Sequence, residues 1–229
     1  MSDRLILVAT AAALLMTSGC SEMQTKPSGG GANEAAPAAA PQSSATTARP
    51  PKRDNLENVP LIWKPTTSLA KLGSLDLTDV QGAKVQIVAV PDTRQNPGFI
   101  GQNRERGVPR KVTTTDDVAA FVADRAKMLL TASGFQVVDS GATAIVKVEV
   151  KAFFVDETST YQGDVRLSVT VSDPSGKLRW TGLASGEASR FGRSYKADNY
   201  YETLSDSLIE AVFSLEQNQG FHQALAGKS

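Results

Sequence analysis

Histidine and cysteine are nearly absent: the 229 residues hold one of each, Cys20 and His222. No intramolecular disulfide is possible with one cysteine, and a multi-histidine metal centre or Cys–His relay lacks its side chains. Net charge is also missing, with 24 basic residues against 24 acidic ones. That balance argues against a general electrostatic partner such as nucleic acid. No self-similarity at a period of roughly 20–50 residues is visible, so a solenoid or propeller is not expected.

What is present begins with a leader. Met1 to Arg4 is short and charged, Leu5 to Met16 is apolar, and Thr17-Ser18-Gly19-Cys20 is mostly small, the three-part layout of a secretory signal peptide. The apolar run holds 12 residues, whereas a spanning helix needs roughly 20; it is a poor permanent anchor. Thr17-Ser18-Gly19-Cys20 resembles the bacterial lipobox. That resemblance implies cleavage between Gly19 and Cys20, diacylglycerol and palmitate-type acyl chains on Cys20, and a membrane as the first partner. An ordinary signal peptide cut near a cysteine is the competing reading. Acylation also removes the liability of a lone exported thiol. One acyl chain holds a protein only marginally, but the two or three chains of mature lipobox proteins make release very slow. Ser21 stands where Asp would direct inner-membrane retention, which favours the periplasmic face of the outer membrane.

Composition then divides the chain into residues 1–19 as signal peptide, 20–59 as lipidated tether and 60–229 as one domain. The tether is rich in Gly, Ala, Pro, Ser and Thr, as in Gly29-Gly-Gly31 and Pro50-Pro-Lys-Arg53. Such a segment buries too little apolar area to offset its ordering entropy. As a coil it reaches about 30–40 Å.

In the domain, Val85 to Val90 is a β-branched run ended by Pro91, which predicts a buried strand. A loop rich in Arg, Asn and Gly follows, to about Lys111. Thr113 to Asp117 supply capping hydroxyls and carboxylates, so a helix is expected next. Its stripe is Val118, Phe121, Val122, Arg125, Leu129 and Leu130, and Gly134 stands at a left-handed C-cap. Strands are expected over Phe135 to Val138, Ala144 to Val155 and Tyr161 to Ser172. The turn Asp173-Pro-Ser-Gly176 leads to another, Lys177 to Gly182. Asn199 is the expected N-cap of a last helix with Tyr201, Leu204, Leu208, Ala211, Val212 and Leu215 on one face. The resulting fold class is α+β: a mostly antiparallel twisted sheet with two main helices on one face, in the order β-α-β-β-β-β-α.

Val90-Pro-Asp-Thr-Arg94 with Ile100-Gly101, Ala132-Ser-Gly-Phe135, Trp180-Thr-Gly182 and Tyr201 to Leu208 together resemble the YajG-type family of bacterial envelope lipoproteins. The similarity spans about Lys84 to Leu225. It implies an α+β envelope lipoprotein and carries no catalytic residue, cofactor or metal across.

Residue patterns that could carry chemistry are few. Ser68-Leu-Ala-Lys71 fits Ser-x-x-Lys, but the accompanying Ser-Asp-Asn and Lys-Thr-Gly elements are missing. Gly227-Lys228-Ser229 lacks the upstream glycine of a phosphate loop. Asp116/Asp117 and Asp156/Glu157 are adjacent pairs, suited to helix-start and turn roles. The one suggestive group is Arg94, Arg104, Arg106, Arg110 and Lys111, whose cations suit anions or a partner. The leading expectation is a non-catalytic anchored module that binds a protein partner or anionic envelope polymer. An accessory subunit of an envelope machine and, more remotely, an envelope hydrolase are the alternatives.

Overall fold

A computed structural model describes residues 55–68 and 75–228. The leader, Gly19, Cys20, the tether up to residue 54 and Leu69, Ala70 and Lys71 of the Ser-x-x-Lys stretch lie outside the described residues. The elements in chain order are β1 (Lys84–Ala89), β2 (Phe99–Asn103), β3 (Arg110–Thr113), α1 (Val118–Ala132), β4 (Gln136–Val137), β5 (Ala144–Glu157), β6 (Tyr161–Ser172), β7 (Leu178–Arg190), α2 (Ala197–Glu216) and α3 (Gln219–Leu225).

The long strand β5 organises the sheet. Along one edge it pairs antiparallel with β6, which pairs antiparallel with β7. Its other edge takes two strands end to end, both parallel: β1 alongside Ala144 to Val148 and β2 alongside Val155 to Glu157. β4 adds parallel to β1, and β3 antiparallel to β2. The seven-stranded sheet is therefore mixed. The expectation of a mostly antiparallel sheet in the order β-α-β-β-β-β-α is corrected on two counts. The segment taken as a loop contains the β2–β3 hairpin, and β1 and β2 run parallel to β5.

Between β1 and β2 the chain leaves the sheet over residues 90–98, and β5 would expose edge carbonyls there. Buried backbone groups need partners, and Arg94 supplies one. Its Nη1 donates to Phe153 O at 3.3 Å and its Nη2 to Pro97 O at 2.6 Å. Its fork also grips Asp92 through Nε at 3.0 Å and Nη2 at 2.7 Å.

One face of the sheet is apolar and covered by α1 and α2. Inward residues alternate as Val146, Val148 and Val150, then a bulge near Lys151 shifts the parity to Phe153, Val155 and Glu157. α1 starts where the hydroxyl and carboxylate run predicts, with Asp117 accepting from Ala120 N at 3.0 Å. It ends at Gly134, whose φ of +99° is the left-handed cap that glycine adopts without Cβ strain. α2 begins two residues before the expected Asn199 cap, with Lys196 as N-cap.

Helix α2 is buried on nearly every side, for two reasons. Towards the sheet, Gly163 and Gly186 let it approach closely: a Cβ on Gly186 would lie 2.2 Å from Ala211 N and Ser207 O. On its outer side runs the extended strap 55–68. Lys64 N donates to Ser205 Oγ at 2.9 Å, and Asp206 accepts from Thr66 N at 2.8 Å, Thr66 Oγ1 at 2.5 Å and Thr67 N at 2.9 Å. The strap starts earlier than composition suggests. Leu56 is only 4% exposed, and Leu56 O and Thr113 O exchange bonds with Thr113 N and Val59 N. Among the described residues no helix is long and apolar enough to cross a membrane.

Candidate functional site

The end of the sheet where β5 turns into β6 gathers most of the polar chemistry. A single row crosses four strands there: Asn103 pairs with Glu157, Glu157 with Tyr161, and Tyr161 with Arg190. Because of the bulge in β5, Glu157 points inward and is 1% exposed. A carboxylate there must be hydrogen-bonded to be tolerated. Tyr200 Oη donates to Glu157 Oε2 at 2.6 Å and Tyr195 N to Oε1 at 2.7 Å. Burial, reinforced by the adjacent carboxylate, pushes the Tyr200 phenol far above its ordinary value. Burial likewise raises Tyr161. Gly101 makes room for this arrangement, since a Cβ there would sit 2.7 Å from the Tyr200 ring.

The network fixes the connection from β7 to α2. Tyr161 Oη donates to Arg193 O at 2.5 Å, Tyr195 Oη to Lys111 O at 2.8 Å, and Asn103 Nδ2 to Ser194 Oγ at 3.1 Å. Tyr195 holds φ at +55°, a left-handed conformation that costs a non-glycine residue about 1–3 kcal/mol and is held by these bonds.

The five cations singled out from sequence are not one patch. Arg94 lies in the 90–98 excursion with its guanidinium engaged inside the domain. Arg104, Arg106, Arg110 and Lys111 share the β2–β3 hairpin. Arg104 pairs with Asp156, and this guanidinium holds the Asp156 carboxyl below the usual range against the opposing effect of burial. Arg110 stacks on the Tyr195 ring at 3.8 Å and donates to Asn103 Oδ1 at 3.3 Å. Lys111 Nζ stands 5.9 Å from the Phe99 ring centre. Arg106 is exposed at the turn, with no partner among the described residues.

The remaining sequence candidates have structural roles in the fold. Asp117 caps α1 and Asp116 accepts from Leu61 N at 2.8 Å. His222 Nε2 lies 2.6 Å from Glu216 O. Among the described residues no three His, Cys, Asp or Glu side chains converge as metal ligands. A shallow depression of 340 Å³ opens between Gln162, Gly163, Glu187, Ala188 and Ser189. The sequence reading missed the inward Glu157 and its tyrosines, together with Val108, Phe191 and Arg193 on the neighbouring loops. The alternation through Val146, Val148 and Val150 points Glu157 outward, because the bulge that turns it inward leaves no mark in the sequence.

Several solved structures are similar to part of the chain. Protein XCC0632 from Xanthomonas campestris is 11% identical with a TM-score of 0.44, covering 58% of this chain and 81% of its own. A candidate lipoprotein from Caulobacter crescentus CB15 is 10% identical with a TM-score of 0.44, covering 70% and 100%. The PelC dodecamer from Paraburkholderia phytofirmans is 15% identical with a TM-score of 0.33, covering 60% and 92%. No curated protein sequence matches the chain. Residues 77–225, from the turn before β1 to the end of α3, match the profile of the family described as "Uncharacterized lipoprotein", and the chain belongs to that family, of YajG type.

Proposed function

We propose that this lipoprotein is a non-catalytic module held by acyl chains on Cys20 at the periplasmic face of the outer membrane. There its domain binds a protein partner or an anionic envelope polymer. The observation that carries this reading is the one-sided sheet. α1 and α2 cover the inner face, while the outer face of β5, β6 and β7 presents Lys147, Lys151, Arg166 and Glu187 to solvent. Charges of both signs on one face suit a specific polar partner. Of the hairpin cations, Arg106 and Lys111 supply an anion-facing contact, whereas the guanidinium groups of Arg94, Arg104 and Arg110 are already engaged within the domain.

Photocrosslinkers at positions 166, 187 and 106 in intact cells test the binding role. Discrete adducts with an envelope component are expected. Failure to form any adduct, together with no binding of the purified chain to peptidoglycan or lipopolysaccharide, would remove the basis for the reading. Replacement of Cys20 by Ala is expected to leave the fold intact and abolish stable membrane retention. A variant that still fractionates fully with membranes would disprove the anchor.

A further inference from the structure

We propose that the end of the sheet carrying the β2–β3 turn and the β7–α2 connection is a bilayer-docking edge. In this arrangement Val108 and Phe191 enter the headgroup layer, and Arg106 and Arg193 meet anionic lipid phosphates. The proposal rests on the lipid-anchor reading for its setting, and it adds an orientation of the domain that the anchor does not supply.

The row Asn103–Glu157–Tyr161–Arg190 places these loops together. β2, β5 and β7 all end at this row and β6 begins there. With strands about 4.8 Å apart, three strand spacings separate the start of the hairpin turn from the start of the β7–α2 connection. Both loops therefore leave the same end of the sheet.

Val108 and Phe191 are each 83% exposed, more than any other large hydrophobic side chain among the described residues. A single exposed apolar residue needs no explanation. Two on loops that leave the same end of the sheet, each within two residues of an exposed guanidinium, form the combination that partitions to an anionic interface. The apolar side chain enters and the cation remains at phosphate depth. Arg106 and Arg193 are exposed, with side chains unpartnered among the described residues. Most carboxylates on the adjoining segments are engaged elsewhere: Asp156 by Arg104, Asp198 by Lys64, Glu202 by Lys64 and Arg190, and Glu157 by its tyrosines, leaving Glu105 exposed in the hairpin turn.

The loops are also pre-shaped. Tyr161 and Tyr195 fix the connection from below, and Asn103 ties it to the hairpin, so docking orders little that is not already ordered. The 35 residues that follow Cys20 up to Asn55 can span at most about 115–125 Å, enough to let this end meet the surface. For a domain tethered to that surface the local concentration is of millimolar order, so weak docking suffices.

The test uses the mature chain with Cys20→Ser, so that no acyl chain contributes. Co-sedimentation is measured with vesicles of phosphatidylglycerol in phosphatidylethanolamine and with vesicles of phosphatidylcholine alone. Binding is expected only to the first, weakening several-fold as salt rises from about 50 to about 300 mM. The double variant Val108→Asp/Phe191→Asp is expected to bind at least about tenfold more weakly. Leu178→Asp serves as control, because Leu178 is 60% exposed at the opposite end of β7; it is expected to bind as the parent does. Equal binding to both vesicle types, no binding to either, or an undiminished double variant would overturn the docking edge. Retention of the acylated chain in cells is decided by Cys20→Ala alone, so failure of docking and failure of the anchor are separately visible.

Discussion

Tyr200 and Glu157 meet at 2.6 Å in the core, joining the first turn of α2 to the last residue of β5. The same carboxylate receives the amide of Tyr195. One buried acid therefore holds three chain segments in a fixed relation. Charge-assisted bonds of this kind are shorter and stronger than neutral ones, and removing one partner of a buried charge costs more than the bond's net worth.

Tyr200→Phe is expected to destabilise the domain by about 1–3 kcal/mol, the cost of leaving a buried acceptor short of a donor. Denaturant unfolding measures this. The folded phenol is raised above its ordinary value of about 10, so the stability it confers is complete below that pH and is lost as pH rises beyond it. The Phe variant should show a shallower loss of stability above pH 10. A slope equal to that of the parent would contradict the assignment.

Gly186→Ala is predicted to be among the costlier single-methyl additions in the domain. The new Cβ would meet the backbone of α2 at 2.2 Å, and neither side can rotate away. Overpacking of this type costs about 1–3 kcal/mol or more. Gly182→Ala should be milder, since it meets the Trp180 ring instead. Thermal unfolding of the two variants ranks them; a Gly186 variant as stable as the parent would show that α2 is free to shift.

Glu216 offers a pH readout. It is 2% exposed, its Oε1 has no partner among the described residues, and burial pushes its carboxyl to about 7. A raised folded value means that the native state keeps the proton longer than the unfolded chain. Stability is then highest below about pH 4.5, declines towards pH 7 and is flat beyond, a total of about 3 kcal/mol at most. Glu216→Gln should remove the decline and be more stable than the parent at pH 8, as urea midpoints at pH 5 and pH 8 would reveal.

Asp206→Ala removes the acceptor of three strap bonds. The expected result is a loss of about 1–3 kcal/mol and new protease cleavage within residues 60–68. Cleavage unchanged from the parent would mean that Trp63 and Leu61 packing alone retains the strap.

Much of this fold is readable in the chain because local chemistry and tertiary packing agree. Asp117 and Gly134 bound α1, and alternation through Val146, Val148 and Val150 and through Val165, Leu167 and Val169 marks the long hairpin. The hairpin of β2 and β3 escapes notice because its strands hold five and four residues and include Gly101, Gln102, Arg110 and Lys111. Their pairing depends on β5 rather than on their own composition. The bulge near Lys151 is equally silent: carried straight through, the alternation would turn Glu157 to solvent and hide the tyrosine network. β7 outruns the expected end at Gly182 because its later inward positions, Ala184, Gly186 and Ala188, are small to admit α2, which reads locally as a weak strand. The loop cations were visible as residues, but three of their contacts join positions more than 50 apart in sequence, Arg94 with Phe153, Arg104 with Asp156 and Arg110 with Tyr195.

The strap also determines how the domain would respond to tension. A pull arriving through the chain ahead of Asn55 would first load the backbone bonds between Leu56, Val59 and Thr113, which lie beside β3 at the sheet margin. Further along, Asp206 grips Thr66 and Thr67 on the surface of α2, so that a force peeling the margin would meet a second clamp before reaching β1. The domain would thus yield in two mechanical steps, with β5, β6 and β7 left intact after the first.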